Sequence, residues 1–211
     1  MAVYKIFPEK DTTLYTEYPS KNTGLDPIIE ASTYQSNATA QVSRYLIKFP
    51  TSQISEMYTN RITSGEYKTY LKNFNAVVTG LNLDQELEFF PISGNWGMGT
   101  GRYNDSPIVT NGSSWDWLDY SGSTEWPSSG FNDYVTASFQ STLPGGGNWY
   151  TGSNLALDPI SQSQIFTYAD TKDVLVDVTN IVETWYSYSL DNTQGFANEG
   201  FLVKQPSGSE F

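Results

Sequence analysis

Between Val174 and Gly200 the sequence VLVDVTNIVETWYSYSLDNTQGFANEG changes its apolar period from two to about three and a half. Val174, Val176 and Val178 alternate as one face of a strand. Asp177, Thr179 and Asn180 follow, all residue types that satisfy free N–H groups where a helix begins. Ile181, Val182, Trp185 and Tyr188 then fall three or four apart, which predicts a short helix over about 179–188 with one apolar stripe. Glu183 is expected in its first turn, where the helix dipole favours a carboxylate. Asp191-Asn192 and Gly195 carry turn chemistry, and Gly200 to Gln205 reads as a last strand. An amphipathic stripe between two strands needs a sheet to cover, so the helix is expected to plug one end of a β-structure.

The rest of the chain reads as short strands. Val3 to Phe7 and Thr12 to Tyr18 are aromatic and β-branched, punctuated by Pro8 and Pro19, and suit an outer strand pair. In Val42 to Phe49 the odd positions place Tyr45, Ile47 and Phe49 toward a core, and Arg44 and Lys48 away from it. Tyr67 to Asn82, with Phe74, Ala76 and Val78 on one face, and Leu83 to Ile92, with Leu83, Leu87 and Phe89 on one face, suggest hairpin partners. Asn22-Thr-Gly24 and Asp26-Pro27 read as turn formers linking two strands. Without a βαβ rhythm, the expected class is mainly β, an antiparallel β-sandwich or jelly roll, as a single domain over 1–211.

Composition removes whole classes of chemistry. The chain has no cysteine and no histidine, which excludes disulfides, thiolate zinc sites, the cysteine nucleophile and the commonest acid–base side chain and metal ligand. A net charge of -12 with only 11 Lys+Arg gives no basic patch for a phosphate backbone or an anionic membrane, so neither is an expected partner. No run reaches the roughly 18–20 apolar residues of a membrane span. The opening MAVYKIFPEK lacks the features of a secretory signal, so synthesis in a cytoplasm is expected. A carboxylate pair is the one hydrolytic device left, and chance pairs among 23 Asp+Glu carry little information. A non-catalytic chain is expected.

The segment 93–163 differs in kind. It is rich in glycine, serine and aspartate, yet it holds Trp96, Trp115, Trp117, Trp126 and Trp149, and reads as a long ordered insertion. Trp96, Tyr103, Trp115, Trp117, Tyr120 and Trp126, beside Asp105, Asp116 and Asp119, are the residue types of a sugar site: flat rings to stack on pyranose faces and carboxylates for hydroxyls. The competing reading folds the same rings over the open end of the sandwich, since burial is the default use of aromatics. Gly97, Gly99 and Gly101 do not form a phosphate loop, because no helix start or lysine follows, and are read as a flexible turn. Asp11, Glu17, Asp26 and Glu30, and separately Asp170, Asp173, Asp177 and Asp191, are oxygen ligands of the kind calcium prefers. No twelve-residue calcium loop accompanies them, so solvated or capping carboxylates are expected and no cofactor is assigned.

The order of these pieces resembles DNRLRE-type domains, β-sandwich modules related to a carbohydrate-binding module family. The likeness is carried by Asp11 to Tyr15, Asn22-Thr-Gly24, Ile28 to Glu30, the arginine-led strand Arg44 to Phe49, and the strand–helix–strand after Val174. It departs after Pro50, where a longer 51–66 connector replaces a short leucine–proline one, and again at 93–163. IFPEKDTTLY and LEFFPISGNWGMGTGRY also resemble structural proteins of tailed phages of marine cyanobacteria. These resemblances imply a virion structural protein, a tail, fibre or capsid accessory component, with other virion proteins and copies of itself as partners. In those phage proteins further sequence would follow the last strand, so this chain is expected to be part of a longer one. The alternative they imply is a carbohydrate-binding module for host-surface polysaccharide, without catalysis.

Overall fold

The strand that contains Val42 to Lys48 is buried on both faces, and the rest of the fold follows from that. The computed structural model describes residues 2–36, 39–62, 66–76, 84–126, 135–137, 145–150, 152–153, 156–167 and 173–210. The elements in chain order are β1 (Lys10–Tyr15), β2 (Ser32–Ser36), β3 (Thr39–Lys48), α1 (Thr51–Asn60), β4 (Tyr70–Asn73) and β5 (Gln85–Pro91). Short strands follow: β6 (Trp117–Asp119), β7 (Thr124–Glu125), β8 (Val135–Ala137), β9 (Asn148–Tyr150), β10 (Gly152–Ser153) and β11 (Ala156–Pro159). The chain then forms β12 (Gln162–Phe166), β13 (Val174–Asp177), α2 (Thr179–Leu190), β14 (Phe201–Lys204) and α3 (Ser207–Glu210). The molecule is mainly β, and each strand pairing among the described residues is antiparallel. No helix among them is long and apolar enough to cross a membrane.

One sheet runs in the order β1-β3-β14-β5-β12. Ser43 of β3 faces Tyr15 of β1 across one edge and Ser32 of β2 across the other, so β2 and β14 lie end to end along the same side of β3. Side chains of β3 and β14 alternate between two cores. Tyr45, Ile47, Phe201 and Val203 point to one, with Phe89 of β5. Val42, Leu46 and Leu202 point to the other, with Leu14 of β1. The first core is closed by the β4–β13 ribbon and by α1 and α2, through Leu71, Val174, Val176, Ile54, Tyr58, Ile181, Val182 and Trp185. This layering fits a β-sandwich. Burial of each large aliphatic or phenyl side chain here contributes about 1.5–3 kcal/mol.

Helix α2 forms where its period predicts it and extends to Leu190. Trp185 lies over Phe201, the first residue of β14, with ring centroids 4.8 Å apart, so the helix covers that end of the sheet face. Its start differs from expectation. Val178 is the N-cap, and Asp177 accepts the N–H of Thr179 at 3.0 Å and its hydroxyl at 2.6 Å. Glu183 therefore falls beyond the first turn, where it accepts the Tyr67 hydroxyl instead. After the helix, Asp191 accepts the N–H of Thr193, and Gly195 adopts a φ of 73° as the turn chemistry requires.

Five other expectations are corrected. Arg44 does not face solvent: Trp115, Gly146, Trp149 and Glu210 cover that side of β3, and the side chain is 1% exposed. The candidate strands Tyr67 to Asn82 and Leu83 to Ile92 are not hairpin partners. β4 pairs with β13, placing Leu71 opposite Val176, while both edges of β5 are taken by β14 and β12. Phe74, expected inside, is exposed, and Leu71 is the buried residue of that run; Val78 and Leu83 lie outside the described residues. The 51–66 connector contains α1, which starts after Pro50 and buries Ile54 and Tyr58, one helical turn apart. Val3 to Phe7 is not a strand, and Val3 and Phe7 are 70% and 75% exposed.

Candidate functional site

The second face of the sheet is covered by loops stitched together from one buried side chain. Asn22, on the turn after β1, has its amide fully used. Nδ2 donates to the carbonyls of Met98 and Ser113, each at 2.8 Å, and Oδ1 accepts the N–H of Gly101 at 2.9 Å and of Gly24 at 3.2 Å. Beside it Thr23 docks on β1, its hydroxyl donating to Thr13 O at 2.7 Å and accepting Thr13 N–H at 3.1 Å. Two glycines exist for proximity. A Cβ at Gly24 would sit 1.9 Å from the Met98 carbonyl oxygen, and one at Gly101 2.3 Å from that of Asn22. The 97–101 loop is thus packed against Asn22, which replaces its expected reading as a flexible turn. Asn22-Thr-Gly24 likewise does more than link two strands.

These loops carry the tryptophans inward. Trp96, Trp115 and Trp126 are 1%, 2% and 4% exposed and cluster with Trp149, Leu14, Val42, Leu46, Ile92 and Leu202. Their indole N–H groups are placed as well: Trp96 donates to Glu199 O and Trp126 to Ser114 O, both at 2.8 Å. A ring buried on both faces has none to offer a sugar, so Trp96, Trp115 and Trp126 are corrected from stacking candidates to core residues.

Trp117 and Tyr103 stay half-buried, in two different ring groups. Trp117 meets the exposed Tyr120 edge to face at 5.0 Å. Tyr103 packs against Tyr15 at 5.0 Å and Tyr18 at 5.6 Å, and the Lys21 ammonium lies over the Tyr18 ring at 3.9 Å while donating to Tyr103 O. Glu17 accepts the hydroxyls of Tyr34 at 2.6 Å and Tyr103 at 3.4 Å. The Tyr34 hydroxyl is pushed up to about 12 first by that hydrogen bond; Tyr103 reaches about 12 through burial and then the charge of Glu17.

The nearby carboxylates are mostly occupied locally. Asp105 accepts Arg102 N–H at 2.7 Å, Asp119 accepts Ser121 N–H at 3.1 Å, and Asp26 accepts Tyr103 N–H through both oxygens. Asp116 is held above the usual carboxylate range by burial and then by the charge of Glu125. Among the described residues no three acidic groups converge in a way that could hold a metal ion. Of the calcium candidates, Glu30 accepts Tyr15 and Ser32 hydroxyls and Asp191 caps its turn, while Asp170 lies outside the described residues.

The residue that composition did not single out is Arg44. Its Nε and Nη2 donate to the two carboxylate oxygens of Glu210 at 2.9 and 2.6 Å, and Nη1 donates to Gly146 O at 2.9 Å. The guanidinium stands 4.9 Å from the Trp115 ring centroid and 5.6 Å from that of Trp149. Lys204, also buried, pairs with Glu88 at 2.9 Å and lies 3.8 Å from Glu210. The arginine at the head of the strand was legible; its burial was not, because its partners come from 146 and 210. Comparison with family models, with curated proteins and with solved structures gave no match.

Proposed function

We propose that this chain is a structural component of a phage particle, a tail, fibre or capsid accessory protein built on a carbohydrate-binding-module-like sandwich, with other virion proteins and further copies of itself as neighbours. The observation that carries this reading is where the aromatic side chains go. Trp96, Trp115, Trp126 and Trp149 seal one face of the sheet and Trp185 the other, so the long insertion is used to close a core. A protein that must hold its shape outside a cell gains from such burial, and the resemblance of IFPEKDTTLY and LEFFPISGNWGMGTGRY to cyanophage structural proteins supports that setting. Mass spectrometry of purified particles tests the reading: the chain is expected among the virion proteins, and its absence there refutes it.

A second reading is favoured by the rings left outside. Trp117 with Tyr120, and Tyr103 with Tyr34 beside Glu17, keep aromatic surface and carboxylates together, as recognition of host-surface polysaccharide requires. A glycan array with the wild type and with Trp117→Ala and Tyr103→Ala separates the two. Binding lost in either variant supports glycan recognition, and binding to no glycan leaves the structural role alone.

A further inference from the structure

We propose that residues 2–8 are a strand donated to a second copy of this chain, where they add to the outer edge of β4. The proposal rests on the structural role, in which copies of the chain are neighbours, and gives that contact a place. Val3 to Phe7 has the aromatic and β-branched residues of a strand, yet among the described residues the backbone of 2–8 takes part in no hydrogen bond. The ladder begins only at Glu9, whose N–H donates to Lys48 O at 2.8 Å. Val3, Tyr4 and Phe7 are exposed, while Ile6 packs against the first core and anchors the segment. Apolar side chains and unpaired N–H and C=O groups on one segment are what an added strand brings to a partner's edge.

β4 has the opposite lack, an edge without a strand. Thr69 O accepts Val178 N–H at 2.8 Å, so residues 69, 71 and 73 turn toward β13, and Tyr70 and Lys72 turn their N–H and C=O groups away from it. Among the described residues those groups have no partner. Other edges are closed by side chains. Thr23 bonds both the N–H and the C=O of Thr13 on β1, and Gln164 bridges β12 to the far edge of β13 through Leu175 N–H and Asp173 O. Beside the β4 edge Tyr70, Phe74 and Leu175 are exposed on the same side of the ribbon. The lysines that would blunt such an edge are engaged: Lys72 lies over the Phe74 ring at 4.7 Å, and Lys68 pairs with Asp177 at 2.8 Å. A second copy supplies each half with the other, apolar side chain against apolar side chain. The exchange is head to tail, so a copy whose edge is filled keeps its own segment for the next.

The test is sedimentation velocity on the wild type, on a variant lacking residues 2–8, on Lys72→Pro, and on an equimolar mixture of the two variants. Lys72→Pro removes an N–H that the β13 ladder does not use. The wild type is expected to rise with concentration to about twofold the monomer mass or more, and each variant alone to stay monomeric. The mixture is expected to stop at the dimer, because one donated segment and one open edge remain between the two chains. A wild type that stays monomeric, a variant that associates like the wild type, or a mixture that fails to form the dimer overturns the proposal. If circular dichroism shows that Lys72→Pro does not fold, Phe74→Asp/Leu175→Asp takes its place, with the same outcomes. Mass spectrometry of purified particles reads the structural role separately, so a chain found in particles but monomeric in solution refutes the exchange and leaves that role standing.

Discussion

The side-chain oxygen of Asn22 accepts the backbone N–H of Gly101 at 2.9 Å, across 79 residues of sequence. With its other three hydrogen bonds, to Met98, Ser113 and Gly24, this makes one amide the anchor of the loops that cover the tryptophan face. Asn22→Ala leaves two carbonyls and two N–H groups without their partner, at about 1 kcal/mol each. A loss of about 3–4 kcal/mol is expected in urea unfolding. Asn22→Asp should cost at least as much, since it removes both donors and buries a charge, and a loss below about 1 kcal/mol in either variant would show that the loops do not depend on this residue.

Much of this architecture was readable because its determinants are local. The change of period at Val178 announces β13 and α2, and the alternation of Tyr45 and Ile47 announces β3. The misreadings have separate physical causes. Alternation assigns one face of a strand to solvent, but β3 and β14 are covered on both, so Arg44 was placed outside when its partner is 166 residues away. α1 was missed because its apolar stripe is little more than Ile54, Met57 and Tyr58 in a polar run. In the site, residue type marked Trp96, Trp115 and Trp126 as ring surfaces, and only the turn at Asn22, set by contacts 76 and 91 residues distant, decides that they point inward.

The inward and outward tryptophans should separate by spectroscopy and by stability. Trp96, Trp115, Trp126, Trp149 and Trp185 are buried, whereas Trp117 is half-buried. Trp117→Phe is expected to remove most of the acrylamide-quenchable fluorescence and to change stability by about 1 kcal/mol or less. Trp115→Ala is expected to cost about 3–5 kcal/mol, because it opens a cavity beside Arg44 that the sheet cannot close. Similar quenching in wild type and Trp117→Phe would contradict the assignment of exposed and buried rings.

Asp177 gives the fold an acid-side dependence. Its carboxyl is lowered to about 2 by the Lys68 ammonium at 2.8 Å, then by the Thr179 hydroxyl and N–H. A carboxylate held lower in the folded chain than in the unfolded one stabilises the fold above its ordinary value of 3.8, and that contribution is lost as pH falls through about 2. Both partners are more than a third exposed, so solvent screening keeps the contribution below about 1 kcal/mol. Asp177→Asn should therefore be slightly less stable than wild type at neutral pH and converge with it below about pH 2. Carboxyl NMR titration of Lys68→Met is expected to show Asp177 moving up toward its ordinary value, and an unmoved titration would assign the shift to Thr179 alone.

The Arg44–Glu210 pair should behave differently when broken and when replaced. Its side chains are 1% and 0% exposed, so both ions have left water, and their attraction mainly offsets that desolvation. Glu210→Leu or Arg44→Met alone removes one partner of a buried ion pair and is expected to cost about 3–5 kcal/mol. Arg44→Met/Glu210→Leu removes both ions together, so it should lose far less than the sum of the singles and is expected to equal the wild type within about 1 kcal/mol. Denaturant unfolding of the four proteins gives the coupling energy directly. Additive losses would mean that Arg44 and Glu210 act separately, Arg44 through Gly146 and the indoles and Glu210 through Lys204, and that α3 is held by something other than the ion pair.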